Sequence, residues 1–309
     1  MSIIVVGGMT VDDLVLPSGD VHRRVPGGNA LYCALGARLW EVSSEIVSFV
    51  GHDYPHVVLR ELAELGIGTT QVAMLDTASI RLWILYEEDG KRQIHLQHGS
   101  ATLAPIETIA LGALDKALAT GAPRGAHIAA LPVSIQRPIA RTLTTAGVPF
   151  TLDSLEAKGS VGGDLQDYLV GPDLAPRAFL PSREEFSLLF GDLASPSFGA
   201  WAQRTPTSTL VIKDGQEGSL VFSPPAAPGV RLPALDCDTV DPTGAGDAFC
   251  GGFAAGMSLG RSALESAVMG TVAASFVVEQ VGARGLIGAS LEDAHRRRET
   301  LNLALSSGD

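Results

Sequence analysis

The chain has 309 residues, 46% hydrophobic and 18% charged, ample for a sizeable core in one large α/β domain or two smaller ones. Its net charge of −12 comes without a basic tract, apart from Arg296, Arg297 and Arg298, which excludes nucleic acid and acidic membrane surfaces as good partners. No run approaches the ~20 apolar residues of a membrane helix, and the 35 glycines and 18 prolines are spread along the chain, so no segment reads as a disordered linker.

"IIVVGG", residues 3–8, is a short β-branched run ending in glycines and predicts a buried parallel strand. With no basic segment before it, it is not a signal peptide. "GGNALYCALGARLW" predicts a helix, "EIVSFVG" a second buried strand and "HVVLRELAELG" a helix ending at Gly66. Strands "AHIAAL", "PFTLD", "RAFLP" and "TLVIKDG" then alternate with helices "IQRPIARTLTTAG" and "SREEFSLLFG". Such alternation predicts an α/β fold, a doubly wound, mostly parallel sheet with helices on both faces.

Two stretches break the pattern. Residues 11–26 lack helical periodicity, and residues 80–97, "IRLWILYEEDGKRQIHLQ", read as two strands around an Asp-Gly turn. There Leu82, Ile84, Ile94 and Leu96 alternate with Arg81, Trp83, Gln93, His95 and Gln97, the pattern of a half-buried sheet outside the main one. It is either an edge hairpin or a lid over a cleft. Near the C-terminus, "GAGDAFCGGFAAGMSLG" predicts a helix of small residues that packs closely on something, and "RSALESAVMGTVAASFVVEQVGA" a long buried helix. Cys33, Cys237 and Cys250 read as buried free thiols of a reducing, cytoplasmic compartment.

The chemistry concentrates in "DPTGAGDAFCGGF", residues 241–253. A glycine-rich turn at a helix start is either a tight turn with a cap or an anion site made of exposed N–H groups. Gly244 and Gly246 bracket Ala245 and leave almost no side chain over successive N–H groups, while Asp247 projects beside them. Two negative charges side by side make poor structure but sensible chemistry, if the carboxylate takes a proton while the N–H groups steady a developing charge. That suits phosphoryl transfer from a nucleotide to a hydroxyl. The P-loop is excluded, because the one Gly-Lys pair, Gly90-Lys91, is followed by Arg92. Phe249 stands where a dinucleotide fingerprint needs its third glycine, and the protein-kinase motifs are missing.

"VDPTGAGDAFCGGF" resembles the C-terminal signature of the ribokinase-like (PfkB) carbohydrate kinase family. "VVGGMTVDDLV", "PGGNA", "GHDYPHVVLRELAELGI", "VIKDGQEG" and the pair Gly282-Ala283 follow in the family's order across nearly the whole chain. The resemblance implies one ribokinase-like domain over residues 1–309, with a small β lid from about 11–26 and 80–97. It implies phosphorylation of a hydroxyl on a sugar or sugar-like molecule by ATP with Mg²⁺. The alternatives are a nucleoside kinase on the same scaffold, favoured if Tyr32 or Trp83 stacks on a base, and a non-catalytic ligand-binding relative.

On this resemblance Asp247 matches the general base, and the N–H groups of Gly244, Ala245, Gly246 and Asp247 the anion hole. Asp241 and Thr243 match positions that bind an activating monovalent cation, K⁺, in some members. Asp12 matches a substrate-gripping aspartate, and Gly27 and Gly28 a pair that lets substrate approach the backbone. Asn29 matches a further substrate contact or is an ordinary cap. Lys213, Gly215 and Gly218 match the nucleotide side, and Glu185 a glutamate that organises Mg²⁺ and its waters. Ser182 replaces that motif's asparagine, and Tyr32 replaces a sugar-contacting asparagine, which points to a bulkier or more apolar substrate. Arg81, Trp83, His95 and Gln97 are expected to supply the missing contacts. Lid-mediated dimers occur in the family, so a homodimer is an expected form.

Overall fold

The computed structural model describes residues 3–87, 91–121, 123–155, 169 and 174–307. Strand β1 (Ile3–Val6) leads into β2 (Thr10–Val15), β3 (Val21–Gly27) and helix α1 (Asn29–Arg38). There follow β4 (Ser44–Gly51), α2 (His56–Glu64), β5 (Gly68–Leu75), β6 (Ile80–Tyr86), β7 (Arg92–Leu96) and α3 (Pro105–Thr120). The middle of the chain adds β8 (Gly125–Ile128), α4 (Val133–Thr145), β9 (Phe150–Leu152), β10 (Ala178–Phe179), α5 (Arg183–Phe190) and α6 (Pro196–Arg204). Strand β11 (Thr209–Lys213), a 3-10 turn (Gly215–Glu217), β12 (Ser219–Phe222) and β13 (Val230–Leu232) precede the last helices. Those are α7 (Ala245–Ser258), α8 (Ala263–Val278), α9 (Arg284–Gly288) and α10 (Leu291–Ser307).

Nine strands form one sheet in the order β13-β12-β11-β10-β9-β8-β1-β4-β5. Every pair from β11 to β5 is parallel; the β11–β12 and β12–β13 pairs at one edge are antiparallel, so only β12 runs against the other strands. Both faces are covered, as the fully buried run of β1 requires. Ile4 and Val6 pack with Ile106 and Leu114 of α3 and Ile139 and Leu143 of α4. Ile3 and Val5 face the other way, onto Leu31 and Leu35 of α1 and Val272 and Ala273 of α8. Full burial of such side chains contributes roughly 1.5–3 kcal/mol each.

The two irregular stretches build a second, mixed sheet in the order β3-β2-β6-β7. Its centre, β2–β6, is parallel and its two outer pairs are antiparallel. The expected Asp89-Gly90 turn lies outside the described residues. Strand β6 is buried at Ile80, Ile84 and Tyr86, as a half-buried strand should be, but β7 is exposed throughout, with Ile94 at 50% and Leu96 at 54%. Among the described residues the core under this sheet stops at Leu14, Leu16, Ile84 and Tyr86, and β7 extends past it.

Helix α7 explains its small residues. A Cβ on Gly251 would stand 1.9 Å from the Cys33 carbonyl oxygen, one on Gly252 2.6 Å from that of Met269, and one on Gly36 2.4 Å from that of Ala248. The helix therefore lies backbone to backbone against both α1 and α8. Cys33 and Cys250 are buried free thiols, whereas Cys237 is only half-buried, with its thiol donating to the Leu235 carbonyl at 3.2 Å. No helix among the described residues is long and apolar enough to cross a membrane.

Candidate active site

The sheet order reverses at β1, whose successor strands lie on opposite sides, so a crevice opens at the carboxyl ends of β1 and β8. Asn29 bridges that crevice. Its Oδ1 accepts from Gly8 N at 2.7 Å and its Nδ2 donates to the Ala130 carbonyl at 2.9 Å, so its amide fastens the two strand-end loops together. The neighbouring glycines have steric reasons. A Cβ on Gly28, at φ 99°, would lie 2.4 Å from Gly8 O, and one on Gly27 would lie 2.0 Å from Asp12 Oδ2. What this pair visibly admits is the β1 loop and the Asp12 carboxylate.

Asp12 is 2% exposed, and its Oδ1 has no hydrogen-bond partner among the described residues. Burial, opposed by the Thr10 hydroxyl and reinforced by the carboxylates of Asp13, Asp241 and Asp247, pushes its pKa up to about 7. Buried acceptors without donors are costly in a finished core.

The glycine turn faces this wall. Gly244 adopts φ 83°, and a Cβ there would enter the Tyr32 ring at 2.4 Å, which fixes Tyr32, 1% exposed, as the turn's backing. Ala245 N donates back to the Pro242 carbonyl at 3.2 Å, whereas the N–H groups of Gly246 and Asp247 meet no protein acceptor among the described residues. Of the four N–H groups expected to form an anion hole, that of Ala245 is thus already used. Asp241, fully buried, ties the turn down: Oδ1 accepts from Thr243 N and Oδ2 from Gly282 N, both at 2.9 Å. Thr243 Oγ1 lies 2.8 Å from the Tyr86 hydroxyl, which joins the turn to the small sheet. Asp247 is half-buried, and its pKa is raised by burial, against the pull of Lys213 and Arg92 and with the push of Glu185.

Lys213 reaches the turn from the large sheet. Its Nζ donates to Asp153 Oδ2 at 2.7 Å and lies 3.7 Å from where a Cβ on Gly246 would be. Burial works against its charge, but the Asp153 carboxylate prevails and raises its pKa above the usual lysine range. Glu185 Oε2 accepts from Ser182 N at 2.7 Å and from Ser154 Oγ at 2.8 Å, while Ser182 Oγ accepts from Glu185 N. Ser182 therefore closes a capping box at the start of α5. Gly215, at φ 55°, has open space around it, but Gly218 is glycine because a Cβ would strike Leu232 O at 2.1 Å.

The structure brings Asp247, the 244–246 turn, Lys213, Glu185, Asp241 and Thr243 together, with Asp12, Gly27 and Gly28 on the facing wall. It does not bring Arg81, Trp83, His95 and Gln97 there. Strand register puts Asp12 in one row with Leu82 and Leu96, so Trp83 and His95 lie on the opposite face with Asp13. Trp83 carries Arg23 over its ring at 6.0 Å, and Arg81 donates to the His98 carbonyl. Sequence reasoning missed Asp153, Ser154, Tyr86 and Arg92. Asp153 carried a usable signal, a carboxylate at the carboxyl end of a parallel strand. A cavity of about 410 Å³ between β3, α2 and α9 contains none of these groups.

Known proteins share this frame. An Escherichia coli chain described as ribokinase II, in complex with ATP and Mg²⁺, superposes with a TM-score of 0.75 at 20% identity, covering 97% of this chain and 99% of that one. A nucleoside kinase of Burkholderia thailandensis in complex with inosine gives 0.74 at 19% identity, covering 97% and 98%. A cytidine kinase of Thermococcus kodakarensis is 28% identical over 289 residues, 91% of this chain and 98% of its own. The family model of the pfkB family carbohydrate kinases matches residues 4–287, and the chain belongs to that family. It is an ATP-dependent kinase.

Proposed function

We propose that this chain transfers the γ-phosphoryl group of ATP to a ribose hydroxyl of a nucleoside. The observation that carries the substrate class is the row Asp12, Leu82, Leu96, with Ile84 and Ile94 in the next. A hydroxyl-seeking carboxylate stands beside apolar side chains that remain half exposed on the same face. A free sugar, polar all round, leaves that apolar face wet, whereas a nucleobase covers it. Tyr32 and Trp83 do not carry this reading, since one is the turn's backing and the other faces away.

Asp247 acts as general base and takes the hydroxyl proton. The alcohol oxygen attacks the γ-phosphorus, the bond to the β-phosphate oxygen breaks, and ADP leaves with the electron pair. The N–H groups of Gly246 and Asp247 in the Gly244–Ala245–Gly246 turn receive the phosphoryl oxygens, with Lys213 as their cation. Asp12 and Thr10 accept and donate to the ribose hydroxyls, Asn29 positions the crevice loops, and Gly215 leaves room for the nucleotide.

Among the described residues no three His, Cys, Asp or Glu stand close enough to cage a metal. That donor set fits Mg²⁺, which keeps its waters and is held through substrate phosphates and one or two carboxylates. Glu185 and Asp153 are the residues that would hold it, and when bound it neutralises charge on the transferring phosphates. Asp241 and Thr243 act as ties in this reading, their oxygens serving Thr243 N, Gly282 N and the Tyr86 hydroxyl. The test is a panel of nucleosides, free sugars and sugar acids with ATP and Mg²⁺, read as ADP release. Nucleosides are expected to give the highest kcat/KM. Equal or better turnover of free sugars would overturn the substrate class.

A further inference from the structure

The apolar row of β7 ends on a cation. Arg92 opens that strand directly opposite Tyr86, so both side chains leave the face that carries Asp12. Tyr86 is fixed in turn, its hydroxyl 2.8 Å from Thr243 Oγ1, one residue before the glycine turn and 157 residues away in sequence. Register and this one hydrogen bond therefore carry an arginine of the small sheet to the mouth of the phosphate turn. Its charge is felt there. It pulls down the carboxyl of Asp247, and Tyr86, Asp247 and Glu185 in turn favour its charged form.

Resting on the kinase reading above, we propose that Arg92 is a catalytic residue whose guanidinium contacts the γ-phosphoryl oxygens as they pass from ADP to the alcohol. Charge on the migrating group spreads over three equatorial oxygens. Backbone N–H groups and Lys213 approach it from the large sheet. A planar fork of donors arriving from the small sheet covers the oxygens those groups leave exposed. Strand β7 also relates the two ends of the substrate. Arg92, Ile94 and Leu96 alternate onto one face, and at about 3.3 Å per residue the strand spans about the length of a nucleoside bearing a phosphoryl group. A base seated on Leu96 and Ile94 thus draws the guanidinium of the same strand onto the phosphate. Binding energy from the non-reacting base appears in turnover rather than in affinity alone.

The experiment compares wild type, Arg92→Met and Arg92→Lys for steady-state turnover of the best nucleoside and of free ribose, with ADP binding by calorimetry and folding by thermal melts. Arg92→Met is expected to lose about 10²-fold or more in kcat, with nucleoside KM and ADP affinity within about threefold and an unchanged melt. Added guanidinium is expected to restore part of the rate, which a purely structural arginine would not allow. Arg92→Lys should retain more activity than Arg92→Met, because it keeps the charge without the fork. Wild-type kcat should be lower on ribose than on the nucleoside, and this gap should shrink in Arg92→Met. A kcat of folded Arg92→Met or Arg92→Lys within threefold of wild type overturns the assignment and leaves the kinase reading standing. Absence of any wild-type turnover overturns both.

Discussion

The two sheets of this molecule solve opposite problems. The nine-stranded sheet is covered on both faces, and the groups it delivers to the crevice are held by buried partners: Lys213 by Asp153, Glu185 by Ser154 and Ser182, the glycine turn by Asp241. The four-stranded sheet is buried along β2 and at Ile80, Ile84 and Tyr86 of β6, but its far strand is exposed from end to end. Chemistry that tolerates little displacement belongs on the first. Recognition that must open and close belongs on the second. A side-chain tie between sheet and turn, Tyr86 to Thr243, is where the two meet.

The sharpest break of this division is Asp247→Asn. The proposed base is lost while the frame is untouched, so kcat is expected to fall about 10³-fold or more with ADP affinity retained. Steady-state kinetics with calorimetry checks it, and near-normal turnover would remove Asp247 from the mechanism.

A frame substitution should act on stability instead. In Gly251→Ala the added methyl meets the Cys33 carbonyl oxygen at 1.9 Å, which neighbouring backbone cannot easily yield. A loss of about 3 kcal/mol is expected from such overpacking, measured by urea denaturation. A melt unchanged within error would mean that α7 and α1 are not in main-chain contact.

Asp12 sits between the two sheets and should link function to stability. Its folded-state pKa of about 7 lies above the ordinary 3.8. Below pH 4 both folded and unfolded states hold the proton and nothing is lost. As pH rises from about 4 to 7 the unfolded chain releases the proton first, so stability falls, and above 7 the full penalty remains. Asp12→Asn removes the penalty. The variant is expected to be more stable than wild type by a few kcal/mol at pH 8, with the difference vanishing near pH 4, while nucleoside KM rises. Parallel pH–stability curves for the two proteins would refute the burial assigned to this carboxylate.

The smallest effect is expected on the exposed strand. Leu96→Asp should leave the melt and free-ribose kinetics unchanged and raise nucleoside KM about tenfold, the cost of one lost apolar contact. Equal effects on both substrates would detach β7 from base recognition.

Much of the proposed phosphate site could be read in the sequence because its parts are contiguous: residues 241–247 bring turn, tie and proposed base together in one stretch. The alternation of strands and helices likewise exposed the doubly wound sheet. What stayed hidden depends on partners far apart. Asp153 gains its meaning from Lys213, sixty residues on, and Arg92 gains its place from strand register and from Thr243. Residues 80–97 illustrate the limit most directly. Their alternation sorted Leu82 and Leu96 from Trp83 and His95, but periodicity cannot say which of two faces looks into a cleft. The glycines were recognised as necessary, yet the crowding comes from the Asp12 side chain at Gly27 and from the backbone of residues 232–234 at Gly218, which no local pattern encodes.

Helix α7 lies against its neighbours through main chain at Gly36, Gly251 and Gly252. A seam of this kind contains no rotamers, so it has no soft mode by which heat or a ligand could slide Asp247 along the crevice. Amide exchange along α7 should therefore proceed only when the whole molecule opens, while β7 exchanges freely. Warming should slow the enzyme by unseating its substrate long before it disturbs the atoms that do the chemistry.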